Sequence, residues 1–92
     1  METVEELKEY LTNRGYEDTV VLESPDYVDA VVGVTIDGQV VYEWRKMVEH
    51  LVAKDGMSTE VAEEFAAYNT VRALPYMGEK RPIIMCSMEE FL

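Results

Sequence analysis

The stretch AVVGVTIDGQVVYEW, residues 30–44, decides the fold that this sequence predicts. Two runs rich in β-branched and aromatic residues, 30–36 and 39–44, flank the dipeptide Asp37-Gly38. Asp-Gly favours a two-residue type I′ turn, because both central residues of that turn adopt positive φ. The stretch therefore predicts a β-hairpin.

The length of the hairpin loop sets the predicted register. A two-residue loop pairs Ile36 with Gln39 and places Val31 opposite Trp44. In this register Thr35, Tyr42 and Trp44 lie on the face of the sheet that the helices leave uncovered. The helix-covered face is then aliphatic and comprises Ala30, Val32, Val34, Ile36 and Val41.

Upstream of the hairpin, the sequence predicts one helix and one further strand. Thr3 and Glu6 form a capping box at the start of the helix, and Gly15 is placed to end it in a left-handed conformation. The β-branched run 19–23 predicts a short strand, which Pro25 ends because proline lacks the backbone donor. The core-facing positions of the helix are Val4, Leu7 and Leu11.

Downstream of the hairpin, the sequence predicts two helices and a last strand. The apolar positions of residues 45–54 fall on one helical stripe. Ser58 caps the third helix, which breaks near residues 69–70 because the residue before Pro75 disfavours the helical conformation. The short apolar run 82–86 predicts the last strand. On the third helix, the predicted core-facing residues are Val61, Phe65 and Tyr68.

Together these elements predict a single α+β domain over residues 1–92. A small, mainly antiparallel sheet of three or four strands, with the Asp37-Gly38 hairpin at its centre, packs against three helices in the order α-β-β-β-α-α-β. A chain of 92 residues with 48% hydrophobic residues can bury one modest core, and it leaves no room for a second domain.

The composition leads us to expect a cytoplasmic protein. Cys86 is the single cysteine, so no internal disulfide can form. Residues 1–6 are acidic and differ from the basic and then apolar pattern of a secretory signal. The apolar runs are far shorter than the roughly 20 residues that a bilayer-spanning helix needs, so no membrane association is expected.

The net charge points to a class of partner. The chain has 19 acidic and 8 basic residues, which gives a formal net charge of −11. Such a charge repels nucleic-acid phosphates and anionic lipids, and no basic patch offsets it, so direct nucleic-acid binding is not expected. The charge would attract a basic protein surface, including one that normally holds nucleic acid. The alternative is that the charge serves solubility alone.

The sequence lacks the parts of a catalytic, metal or cofactor site. One histidine and one cysteine do not make a zinc site or a Cys-His dyad. His50, between Lys46 and Lys54, is expected to face solvent. Neighbouring glutamates point in different directions on a helix, and calcium, nucleotide and acyl-transfer motifs are missing. We therefore predict a non-enzymatic protein without a cofactor or metal.

The candidate interaction residues lie around the predicted end of the third helix. There, two tyrosines, an amide and an arginine surround a helix end broken by proline: Tyr68, Asn69, Arg72 and Tyr76. Arg72 is predicted either to pair with a carboxylate inside the fold or to be presented to a ligand. Three outward-facing carboxylates on the same helix complete the set: Glu60, Glu63 and Glu64. Their negative charge argues against a helix-turn-helix that reads DNA.

Three segments carry a resemblance to a known family: AVVGV at 30–34, DGMS at 55–58 and YNTVRALPY at 68–76. Over most of its length after Tyr16, the chain resembles a family of short proteins encoded by phages and other mobile elements of anaerobic bacteria. The most specific part is RALPYMG, residues 72–78. The resemblance implies a phage or mobile-element setting, and it transfers no catalytic residue.

The leading hypothesis is therefore an acidic interaction protein that binds a basic protein surface. Some small acidic phage proteins occupy the nucleic-acid channels of bacterial defence enzymes. By analogy, the most specific version of the hypothesis is an anti-defence role in which the chain mimics DNA. One alternative is a small-ligand or regulatory domain that uses the corner of Tyr68, Asn69, Arg72 and Tyr76. Another is a structural accessory protein that forms a homodimer through the Tyr42 and Trp44 face.

Overall fold

A computed structural model describes residues 2–91 and confirms the α+β class. The described residues contain a three-stranded mixed sheet and three α-helices in the order α-β-β-α-α-β. The α-helices are α1 (Val4–Asn13), α2 (Trp44–Asp55) and α3 (Thr59–Asn69), and the strands are β1 (Val31–Val34), β2 (Val40–Glu43) and β3 (Ile83–Met85). Three short 3₁₀ helices span Val28–Ala30, Val71–Tyr76 and Met88–Phe91.

The sheet is mixed, whereas the sequence predicted a mainly antiparallel one. The central strand β2 is antiparallel to β1 and parallel to β3. Parallel neighbours need a long crossover connection, and the helical hairpin of α2 and α3 supplies it between β2 and β3. The last strand was predicted, but its direction depends on where this helical hairpin packs.

The predicted strand at residues 19–23 is wrong. The backbone of this segment finds other hydrogen-bond partners: Val20 donates to the carbonyl of Lys80 at 3.2 Å, and Leu22 donates to the Tyr42 hydroxyl at 3.0 Å. A side-chain hydroxyl thus takes the place of a neighbouring strand. Two amides of the segment are thus paired although it does not join the sheet.

The hairpin loop has three residues rather than the predicted two. The amide of Thr35 donates to the carbonyl of Gln39 at 2.8 Å, and the amide of Gly38 donates to the carbonyl of Thr35 at 3.0 Å. Gly38 has a φ of 92°, which fits a three-residue loop that ends in a glycine bulge. The Thr35 hydroxyl also accepts from the Gln39 amide at 2.9 Å, and this bond favours the longer loop.

The longer loop and an irregularity within β1 shift the register, so the predicted faces of the hairpin are wrong in part, although Ala30 is buried as predicted. Val31 pairs with Tyr42, and Val34 pairs with Val40. Val32 and Ile36 are exposed, Ile36 to 98% of its surface, whereas Tyr42 is fully buried. A shift by one position exchanges the two faces of a strand. Because Tyr42 lies in the core, the predicted dimer face does not exist in this form.

Trp44 belongs to α2 and not to the hairpin. The carboxylate of Glu43, the last residue of β2, accepts a hydrogen bond of 2.7 Å from the Arg45 amide and so caps α2. Glu43 is buried, and this cap satisfies it. The strand therefore passes into the helix without a loop.

Two buried tyrosines link the sheet, the helices and the segment before β1. The Tyr42 hydroxyl accepts from Leu22, and the Tyr27 hydroxyl lies 3.2 Å from the hydroxyl of Thr70 at the end of α3. Burial raises the pKa of Tyr42 to about 12 and also raises the pKa of Tyr27. The rest of the core is mainly aliphatic and includes Leu7, Leu11, Val40, Met47, Leu51, Ala62 and Ala66.

We expect the free energy of unfolding to decrease as pH rises from about 10 to about 12. In the unfolded chain Tyr42 ionises near its ordinary pKa of 10.0, whereas in the folded protein its pKa is about 12. Over this interval the folded state keeps a proton that the unfolded state has lost. The contribution of Tyr42 is complete below pH 10 and is lost above about pH 12; it amounts to about 2–3 kcal/mol.

Urea unfolding followed by circular dichroism, at pH 9 and at intervals up to pH 12, measures this loss. Tyr42→Phe has no phenol at this position, so its free energy of unfolding should decrease less steeply over the same interval. Equal slopes for the two proteins would contradict the assignment of the pH dependence to Tyr42.

Candidate interaction surface

Helix α3 begins and ends where the sequence predicts. The Ser58 hydroxyl accepts a hydrogen bond of 3.2 Å from the Val61 amide, which caps the first turn. The helix ends at Asn69, and the 3₁₀ helix that follows contains Pro75. The hydroxyl of Thr70, which is buried, bonds to Tyr27 and holds this helix end against the core.

The predicted inward face of α3 is wrong. Ala62 and Ala66 are its fully buried residues, whereas Val61 and Tyr68 are exposed and Phe65 is only partly buried. Alanines let the backbones of two helices approach closely, and within the described part of the chain α3 makes its most extensive helix contact with α2. The larger side chains therefore lie beside the helix contact and not within it.

Four residues of the third helix and its extension form an outward row, which we call the α3 ridge: Glu60, Glu64, Tyr68 and Arg72. Residues four apart lie above one another on a helix. Both glutamates are exposed, and Tyr68 is 64% exposed. The guanidinium of Arg72 lies over the Tyr68 ring, with Cζ 5.4 Å from the ring centroid. The ridge thus presents two carboxylates followed by an aromatic ring covered by a cation.

The other candidate interaction residues lie near the ridge but not on it. Glu63 precedes the ridge residue Glu64 on α3, and its side chain is exposed. The side-chain amide of Asn69 donates to the carbonyl of Phe65 at 3.1 Å, so it helps to satisfy the end of α3. Tyr76 projects from the 3₁₀ helix with 89% of its surface exposed.

Arg72 is exposed, and its presentation to a ligand stays a prediction. Among the residues that the structure describes, it forms no ion pair with a carboxylate, so the predicted internal pair is wrong, and its guanidinium instead lies over the Tyr68 ring. Such contacts contribute about 0.5–1 kcal/mol at exposed sites. Its contact with Tyr68 extends the aromatic end of the ridge.

His50 does not face solvent, contrary to prediction. Its Nδ1 lies 2.7 Å from Oδ1 of Asp29, its side chain is only 11% exposed, and its ring centroid is 5.4 Å from that of Tyr27. The 3₁₀ helix Val28–Ala30 packs against α2 and brings Asp29 to the histidine. The two residues are 21 positions apart, so no local pattern could have revealed the pair.

The negative charge of the chain lies almost entirely on its surface. Of the 18 acidic residues whose exposure the structure describes, 16 are exposed; Asp26 is partly buried and Glu43 is buried. Ion pairing neutralises few of them, such as the exposed pair of Lys8 and Glu23 at 2.9 Å. The surface is therefore suited to long-range attraction of positive charge.

Within residues 2–91, no three histidine, cysteine or acidic side chains come together in a way that could hold a metal ion. Each helix described over the same residues is too short or too polar to cross a membrane.

Comparison with known proteins identifies no relative of this chain: no family model, no curated protein and no solved structure matches it. The resemblance to the phage and mobile-element family thus stays a prediction.

Proposed function

We propose that this chain is a non-enzymatic, cytoplasmic interaction protein of a phage or mobile element, and that its α3 ridge binds a basic protein surface. The observation that carries the proposal is the ridge itself, in which Glu60 and Glu64 lie in one exposed row with Tyr68 and Arg72. The high net negative charge of the chain supports a partner whose surface is positively charged.

The shape of the ridge favours a protein partner over a small molecule. Tyr68 on the ridge and Tyr76 beside it project into solvent, whereas small ligands are usually held in concave pockets. Tyrosine is also enriched among the residues that contribute most to protein–protein binding. The ridge is therefore better suited to protein binding than to the small-ligand role considered for the same corner.

The charge favours a partner that also binds nucleic acid. Complementary charge increases the rate of association and suppresses wrong partners, and a nucleic-acid channel is a concentrated positive surface. In its sharp form, the proposal is that the chain occupies such a channel on a host defence enzyme and competes with DNA.

The test is capture of host proteins from bacterial lysate on the tagged chain at low salt, with mass spectrometry of what is retained and affinity measurement on the purified partner. We expect one nucleic-acid enzyme that is displaced by added duplex DNA and by salt. The double variant Glu60→Lys/Glu64→Lys should weaken its binding about tenfold or more, because like charges placed opposite each other in an interface cost several kcal/mol.

The matched control is Glu17→Lys/Asp18→Lys, which makes the same change of charge at two exposed loop positions. It should leave most of the affinity intact, and Arg72→Ala should also bind because a basic partner does not need this cation. Equal loss in both double variants would contradict the role of the ridge. Loss on Arg72→Ala with little salt dependence would instead support the small-ligand alternative, and retention of no protein would refute the proposal.

A further inference from the structure

The outer edge of β1 is open to pairing with another strand. In the sheet order β1-β2-β3, β1 lies at one edge, and within residues 2–91 no strand pairs with its outer side. The strand carries neither the lysine nor the proline that commonly blunts an exposed edge. An edge of this kind can accept a further strand through its backbone.

The side chains along this edge include exposed aliphatic groups. The register runs from Val31 to Gly33, so Val32 has no partner on β2, and 46% of its surface is exposed. An extra residue in a strand re-aims its side chain. Ile36, two residues beyond the end of β1, is almost fully exposed. The edge therefore presents apolar surface to solvent.

Gly33 exposes bare backbone on the same edge. The position of a β-carbon at Gly33 has no atom of a non-adjacent residue within 4 Å, and its φ lies outside the left-handed region that favours glycine. The fold of a single chain thus does not require glycine here, although glycine weakens a strand. In strands, glycine often marks a place where another backbone approaches closely. Gly33 is therefore an independent indication that a second chain approaches this edge.

An apolar groove of about 220 Å³ lies between α1 and the edge of β1. Its lining comes from one side of α1, from all of β1 and from one residue of β2: Leu7, Tyr10, Leu11, Val31–Val34 and Val40. All of these residues are uncharged. Helix α1 therefore lies beside β1 along this edge, and Tyr10 is the part of the groove wall that reaches solvent.

Three residues of α1 and its C-terminal cap form a row of mixed charge beside the groove, which we call the α1 row: Glu6, Tyr10 and Arg14. Residues four apart lie above one another on a helix. The guanidinium of Arg14 lies over the Tyr10 ring, with Cζ 4.7 Å from the ring centroid. The row thus has an acidic end, an aromatic centre and a basic end. When a copy of the row is reversed, the acidic end of each meets the basic end of the other.

We propose that the β1 edge pairs with the same edge of a second copy of this chain, antiparallel, to form a symmetric homodimer. In a two-fold dimer each surface meets itself in reverse. Glu6 of each copy then lies opposite the partner subunit's Arg14, with the two tyrosines between these pairs. This surface differs from the Tyr42 and Trp44 face that the sequence suggested, and the proposal does not depend on the α3 ridge.

The charges favour a second copy over a strand of another protein. A basic strand would meet Arg14, whereas an acidic strand would meet Glu6 and the net charge of −11. Two copies also repel each other at long range, but at physiological ionic strength charges are screened beyond about 8 Å. The α1 row, which flanks the groove, is balanced between the two copies.

The test is sedimentation equilibrium of the purified full chain at physiological ionic strength, from micromolar to millimolar concentration. We expect a reversible equilibrium between monomer and dimer. Val32→Lys should weaken the dimer about tenfold or more, because it places like charges on the two paired edges. Val61→Lys is the matched control at a similarly exposed valine of α3 and should leave the equilibrium unchanged. A monomer at every concentration, or equal weakening by both variants, would overturn the proposal.

Charge reversal tests the α1 row. Glu6→Arg and Arg14→Glu each place like charges opposite one another and should each weaken the dimer about threefold or more, because each opposition occurs twice. Glu6→Arg also makes the chain less negative, so overall repulsion cannot explain its weakening. The double variant Glu6→Arg/Arg14→Glu has the same net charge as the wild type and should recover most of the affinity.

Circular dichroism shows whether each charge variant is folded. A folded double variant that dimerises as weakly as the single variants would overturn the proposed pairing of the two copies. Should the double variant not fold, the comparison of Val32→Lys with Val61→Lys still decides the proposal, because both substitutions are at exposed positions.

Discussion

Replacing Tyr42 with alanine is expected to lower the free energy of unfolding by about 3–5 kcal/mol. Tyr42 is fully buried on the central strand, and its loss leaves a cavity between the sheet and the segment that carries Leu22. The Leu22 amide, which donates to the Tyr42 hydroxyl, would also lose its buried partner. Both effects act on the same part of the core.

Thermal and urea unfolding followed by circular dichroism measure this effect. Tyr42→Phe should lose about 1–3 kcal/mol, because it keeps the ring and removes only the hydrogen bond. Tyr76→Ala is the matched control at an exposed position and should change stability by about 0.5 kcal/mol or less. Comparable losses for Tyr42→Ala and Tyr76→Ala would contradict the assignment of Tyr42 to the core.

The double substitution Ala62→Leu/Ala66→Leu is expected to lower the free energy of unfolding by about 2–6 kcal/mol, at about 1–3 kcal/mol for each overpacked position. Both alanines are fully buried on the side of α3 that faces the core. Each added leucine must displace neighbouring atoms or push α3 outward. The effect comes from packing, because alanine and leucine are both strong helix formers.

Ala53→Leu, at an exposed position of α2, is the control, and it should change stability by about 0.5 kcal/mol or less. If the double variant is as stable as the wild type, the alanines are not at the helix contact. The predicted face of Val61, Phe65 and Tyr68 would then deserve renewed consideration, and the α3 ridge would have to be redefined.

The helix ends could be predicted from sequence because local groups determine them. Thr3 accepts from the Glu6 amide three residues later, Ser58 caps α3 in the same way, and Gly56 ends α2 with a φ of 67°. The hairpin was predicted for a similar reason, since Asp37-Gly38 lies within its loop. None of these features needs a distant partner.

The candidate site was only partly accessible from sequence. Exposure of Glu60 and Glu64 follows from their charge, and the proline-broken helix end was predicted correctly. The ridge itself was not predicted, because Tyr68 was assigned to the core. Hydrophobic spacing alone favoured the larger side chains of α3 as its buried face, whereas close helix packing buries Ala62 and Ala66 instead.

By itself, the sequence determined the α+β class, the helix caps, the existence of the hairpin and the strongly negative charge. All of these depend on composition or on residues within a few positions of one another. Only the tertiary structure decided the sheet register, the parallel β3, the buried face of α3 and the contact of His50 with Asp29. These depend on contacts between distant segments, such as the hydroxyls of Tyr27 and Thr70, 43 positions apart, and no local pattern encodes such a contact.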